Sequence, residues 1–139
     1  MAKYSSASAK VEFDLVGGTL QDMSPYVTDI NGVDIESITE ESTPFTVAWQ
    51  AHLPVGIFKM ADVVIGGFYD DAATTGPDVV FNALSNGPAA STRTLKITYG
   101  ASKSTSVETW IVKMSRKLVR NGLTRFEVTL RPTGTVSEV

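Results

Sequence analysis

Cysteine is absent from this 139-residue chain, which removes disulfide frameworks and thiolate metal sites together. Histidine occurs once, as His52. A lone histidine cannot build the usual multi-histidine zinc site, and a serine nucleophile relay around it lacks the G-x-S-x-G elbow. There is no P-loop and no G-x-G-x-x-G, and the pairs Gly17-Gly18 and Gly66-Gly67 are too generic to count as phosphate cradles. Long apolar runs are missing too: Val63–Phe68 is the longest, far below the roughly 20 residues that cross a bilayer. The opening MAKYSSASAK has no apolar signal-peptide segment, so the expectation is a soluble, unexported chain with no membrane partner.

The hydrophobic fraction is 42% against 19% charged, a globular rather than a disordered composition. The length fits one domain, taken as residues 1–139 with a flexible segment at 1–9 and an arm or loop at 36–57. Net charge is only −3, yet residues 1–80 carry −9 and residues 81–139 carry +6. Such a chain either attracts its own copies head to tail or interleaves its halves so that the charges mix.

Period-2 alternation dominates. Val11, Phe13 and Leu15 alternate with Glu12 and Asp14 before Gly17-Gly18 breaks the strand. DMSPYVTDING (22–32) is turn-rich, with Pro25 fixing a bend and Asn31-Gly32 favouring a tight turn. Residues 33–51 read as a hairpin arm: Val33 and Ile35 lead out, TEESTP (39–44) forms the tip, and Phe45, Val47, Trp49 and Ala51 alternate on the return, with HLPVG (52–56) closing the arm. If this arm projects, the Phe45–Val47–Trp49 face needs a partner; otherwise the strand packs in the core. Residues 60–69 are apolar on both faces, as in a central strand. TTGPDVVFNALSNGP (74–88) is the helix candidate: Pro77 suits the first helical position, Asp78 complements the N-terminal dipole, and Val80, Phe81 and Leu84 share a face. Strands follow at 92–99, 107–119 and 123–131, the last two joined by the hairpin signal Asn121-Gly122. The fold class is mainly β, a β-sandwich or partial barrel of about seven strands with a short flanking helix near 77–86 and a long hairpin arm.

Candidate chemistry is thin. Asp70-Asp71 offers oxygen ligands for Ca²⁺ or Mg²⁺, but no D-x-D-x-D-G loop follows, and adjacent residues of a strand point to opposite faces. Asp is also a common turn residue because it bonds nearby backbone N–H groups. A metal-dependent hydrolase using Asp70, Asp71 and His52 is one rival reading. A carbohydrate-binding module with Trp49 and Trp110 on one sheet face is another. The run Lys113, Arg116, Lys117 and Arg120 invites nucleic acid, but its aromatic company is thin; the alternative is solvated charge or salt bridges to an acidic neighbouring surface.

VVIGGFYDDAATTGPDVVFNAL (63–84), an apolar strand ending in Gly-x-Tyr-Asp-Asp and followed by a short helix, resembles the major tail tube proteins of long-tailed bacteriophages. DMSPYVTDINGVD (22–34) is similar to that family's early Asp-x-Ser-x-Tyr-Val turn, and FEVTLRPTGTV (126–136) to its closing strand, which ends near a Pro-x-Gly. TEESTPFTVAW stands where the family has a Thr-Thr-Phe-Gly-like segment. The resemblance, which extends to type VI secretion tube proteins, implies hexameric rings stacked into a hollow tube that conducts DNA from capsid to host. It implies virion localisation after assembly in the host cytoplasm, no cofactor and no catalytic residues. The implied partners are further copies of the chain, with tape measure, tail terminator and distal tail proteins. The arm would bridge rings through Phe45, Val47 and Trp49, with Glu40 and Glu41 meeting bases on the next ring. Asp70, Asp71, Pro77 and Asp78 become turn and helix-cap residues. A tail terminator ring is the neighbouring alternative.

Overall fold

The alternating segments become nine strands and one helical turn in the computed structural model, which describes residues 8–14, 19–45, 49–70, 76–81 and 92–139. The elements are β1 (Lys10–Asp14), β2 (Leu20–Asp22), β3 (Val27–Asn31), β4 (Ile35–Glu41), β5 (His52–Met60), β6 (Val63–Phe68), α1 (Pro77–Phe81), β7 (Arg93–Gly100), β8 (Lys103–Lys117) and β9 (Arg125–Glu138). Seven strands form one antiparallel sheet in the order β2-β1-β7-β8-β9-β6-β3, and β4 pairs with β5 in a separate ribbon. The sheet curls into a half-barrel.

The curl follows from what α1 carries. The Phe81 ring lies 4.9 Å from that of Phe13 on β1 and 5.7 Å from that of Phe126 on β9. Those two strands are separated by β7 and β8, three spacings of about 4.8 Å along a flat sheet. One ring reaches both because the sheet wraps around it. Val11, Leu95, Ile97, Val107, Ile111, Val128, Leu130, Val63 and Ile65 line the same face, and Val80 and Phe81 close it. The buried Thr109 hydroxyl donates to the Arg93 carbonyl at 2.9 Å, and the Arg93 guanidinium donates to the Val80 carbonyl at 3.0 Å, which ties α1 to β7. A buried polar group held this way costs little.

Three readings of the sequence need correction. The turn-rich 22–32 holds a turn only around Pro25 and then the edge strand β3, which pairs with β6. It forms because Gly66 and Gly67 leave that stretch of β6 bare: a Cβ on Gly67 would strike the Tyr26 carbonyl oxygen, which accepts the Phe68 N–H at 2.9 Å. Second, the return strand of the arm is β5, not residues 45–51. Glu41 stands opposite His52, and the connection runs over residues 42–51, with Phe45 in a turn and Trp49 in a bend. Pro44 stops the outgoing strand, while HLPVG survives in a strand because a two-stranded ribbon has free edges that tolerate Pro. Third, β9 does not end near Pro132-x-Gly134 but runs through it to Glu138. Its pairing with β6 stops at Leu130, and among the described residues no other strand pairs with this half on that side.

Leu15, Gly17-Gly18, Val47, Asp71, Leu84 and the rest of the 82–86 helix, residues 1–7 and the Asp78 side chain lie outside the described residues.

Candidate assembly surfaces

Asp70 and His52, two of the residues that first suggest chemistry, are not brought together. Asp70 is exposed just past β6, at the end of the sheet where Phe68 pairs with Arg125. His52 sits opposite Glu41 on the arm, whose root adjoins Val63 at the other end of β6. Pro77 is buried as the first residue of α1, and the Gly76 carbonyl accepts the Val80 N–H at 3.1 Å. Among the described residues no group of three or more His, Asp or Glu is placed to hold a metal ion. A cleft of about 580 Å³ lies between β3 and the β1–β7 pair, with Val11, Val27, Ile30, Val33 and Tyr99 on its walls and Asp29 as its one carboxylate. Trp110 projects from β8 and Trp49 from the arm loop, so the two do not share a sheet face.

The arm is a different kind of surface. Every residue of β4 is exposed, and the core alternative does not hold for Phe45 or Trp49. Phe45 is fully exposed, Trp49 is 85% exposed and Leu53 60%. Loop closure is local: the Ala51 N–H donates to the Thr43 hydroxyl at 2.6 Å and the Ser42 N–H to the Ala51 carbonyl at 2.8 Å. Lys59 and Glu36, directly opposite in the ribbon, meet at 3.4 Å, an exposed pair worth at most about 1 kcal/mol. Glu40 and Glu41 are exposed further out. At the root, the Ala61 N–H donates to the Asp34 carbonyl at 3.0 Å, and Arg131 grips Asp62 through two bonds of 3.2 Å. That hydrogen bonding, with the Asp62 charge, raises the Arg131 pKa above its ordinary value.

The opposite end of the sheet carries the β8–β9 hairpin. Asn121 adopts φ 62, the left-handed conformation that Asn tolerates, and the Gly122 N–H returns to the Val119 carbonyl at 3.1 Å. Leu118 is 83% exposed and Leu123 68%. Residues 109–126 contain five bases and no acid. Arg116 lies 5.3 Å from the Tyr69 ring centre and Arg125 5.0 Å from that of Phe68, cation–π distances that fix both guanidinium groups. Lys117 stands directly across from Arg125. The apolar residues flanking Asn121-Gly122 were the available signal for an exposed tip, but a hairpin turn alone does not say whether its flanks are covered.

At one sheet edge Asp22 organises the β2–β3 turn. Burial works against its charge, but hydrogen bonds from the Ser24 hydroxyl and N–H, with Lys10 nearby, outweigh it and hold the carboxyl below its usual range. The Ser24 hydroxyl oxygen in turn accepts the Val11 N–H at 2.9 Å.

No protein-family profile matches the chain, and no curated protein sequence does. Solved structures do. The tail of an empty gene transfer agent particle, with C6 symmetry, superposes with TM-score 0.77 at 12% identity, 99% of each chain being covered. The chain has the tail-tube fold. The sheath/tube terminator of the extracellular contractile injection system PVC, in its extended state, gives 0.73 at 12% identity over 100% of this chain and 98% of that one. The SPP1 tail tube gives 0.69 at 11% identity over 98% of this chain and 78% of that one. At these identities the likeness establishes the fold.

Proposed function

We propose that the chain is a structural, self-assembling subunit of a phage-type tail tube, with hexameric rings stacked into a conduit for DNA. The observation that carries this is the full-length match to tube subunits by a chain whose arm holds Phe45 and Trp49 in solvent. A ring needs contacts that close and a stack needs axial contacts that do not. The open edges β2, β3 and the far half of β9 offer strand pairing between neighbours, which turns an aggregation hazard into a continuous wall. The arm residues Phe45, Val47 and Trp49 make the contact between rings, with Glu40 and Glu41 set against bases. Asp70, Asp71, Pro77 and Asp78 shape the connection into the helix and perform no catalysis. DNA must slide without sticking, and lysine and arginine bind phosphate through counterion release, so the lumen is neutral or acidic. The place of work is the virion tail, after assembly in the host cytoplasm, with tape measure, terminator and distal tail proteins as further partners.

A second reading has its own support: a tube terminator shares the fold at TM-score 0.73. Negative-stain electron microscopy of the concentrated protein separates the two. Tubes of uniform bore and variable length are expected from a tube subunit, single rings from a terminator, and dispersed protein without either would refute both.

A further inference from the structure

The arm and the β8–β9 hairpin leave opposite ends of one sheet. Val63 pairs with Leu130 at the arm's root, and Phe68 pairs with Arg125 just before the hairpin turn, about 17 Å away at the rise of an extended strand. Both are apolar tips in solvent, with Trp49 and Leu53 on one and Leu118 and Leu123 on the other. Their charges are opposite. Beyond the Glu36–Lys59 pair, residues 39–53 hold Glu40 and Glu41 and neither Lys nor Arg, whereas residues 109–126 hold five bases and no acid.

We infer that these surfaces are mates: the arm of one copy docks on the β8–β9 hairpin tip of another copy, with Glu40 and Glu41 meeting Lys117 and Arg120. Two arms brought together repel, and so do two hairpin tips, so like-charge repulsion disfavours a closed two-fold dimer and selects the head-to-tail contact. Because the two surfaces differ and sit at opposite ends, the contact is heterologous and can be repeated from copy to copy along an axis. The hairpin itself favours an acidic visitor. Lys117 and Arg125 are directly opposite, a like-charge pair that costs stability until an anion lies between, and Glu127 stands one pair further from the turn, opposite Ser115. This pairing rests on the tube-subunit reading and names the surface on which that reading's arm lands.

The absence of native cysteine makes the test clean. In the full chain, Glu41→Cys with Arg120→Cys, and separately Glu40→Cys with Lys117→Cys, are oxidised under assembly conditions and run without reductant. A ladder of covalent species beyond the dimer is expected from a double variant, whereas each single variant is limited to dimers; reduction should collapse the ladder. Circular dichroism of the reduced proteins checks that the exposed substitutions leave the fold intact. Tubes from the parent protein with no ladder from either pair would overturn the pairing and leave the tube reading standing. Neither tubes nor ladder would overturn both.

Discussion

Trp49→Ala separates folding from assembly more sharply than any other single change. The side chain is 85% exposed in the subunit, so its removal there should alter stability by no more than about 0.5 kcal/mol and the melting temperature by under about 2 °C. The cost appears only when subunits meet. A tryptophan offers up to about 250 Å²; the 85% of it left exposed in the subunit, at about 25 cal/mol per Å², sets a ceiling near about 5 kcal/mol for complete burial. An interface that covers half to four-fifths of the ring loses about 2–4 kcal/mol per contact on truncation. At about 1.4 kcal/mol per tenfold, the concentration at which tubes appear should rise about 30- to 700-fold. Sedimentation across a dilution series, read beside a circular dichroism melt, measures both quantities. An assembly threshold within about threefold of the parent would refute a Trp49 interface. A melting temperature lowered by more than about 5 °C would show instead that the arm loop packs on its own subunit.

Phe81→Ala should do the reverse, because the ring is fully buried between Phe13 and Phe126; a loss of about 3–5 kcal/mol, read as a fall of about 10 °C or more in the melt, is expected, and an unchanged melt would refute the plug. Gly67→Ala drives a Cβ into the Tyr26 carbonyl and should cost about 1–3 kcal/mol with faster amide exchange at Phe68; normal protection there would contradict the close approach. Asp22 has its pKa depressed by the net of burial, Ser24 hydrogen bonding and Lys10. Its contribution is therefore complete above the unfolded-state value, about pH 4, and is lost as pH falls through the lower folded value. Asp22→Asn should flatten the fall of the melting temperature below about pH 4, where the parent declines, and an unaltered slope would count against the Ser24 turn.

Legibility in the sequence followed the source of each strand's stability. β1, β7 and β8 were readable because each carries its own alternation, and Asn121-Gly122 announced the hairpin that the φ of Asn121 displays. β3 and β5 were not readable, since their identity comes from the strand beside them: β3 exists because Gly66 and Gly67 admit it, and β5 because Glu41 finds His52 rather than Phe45. Strict alternation also breaks within β8. The pairing with β9 shifts between Ile111 and Lys113, an irregularity that resets which residues face the core. Buried Ile111 is therefore followed inward by half-buried Met114, out of step with strict alternation. Phe81 was visible as part of a helical face, but its contact with two strands three places apart is a property of the curl.

The charge asymmetry between the halves of the chain posed two alternatives, mixing or segregation, and the fold answers at two scales. Within the sheet the halves do interleave: β1 from the acidic half pairs with β7, and β6 pairs with β9, so Glu12 stands opposite Lys96, and Arg131 closes on Asp62. At the ends the charges mix less: Lys59 meets Glu36 near the arm's root and Asp70 lies at the hairpin end, yet each tip keeps one sign of charge. The arm belongs wholly to the acidic half and the β8–β9 hairpin wholly to the basic half, and the strand directions send them apart. A sheet that neutralises its middle while keeping opposite charge at its two ends carries little net charge, yet it has a polarity along its strands. In the proposed stack that polarity would give assembly a direction, since a copy approaching in the wrong sense would meet its own sign of charge. Exposed apolar residues then supply affinity only to the orientation that the charges admit.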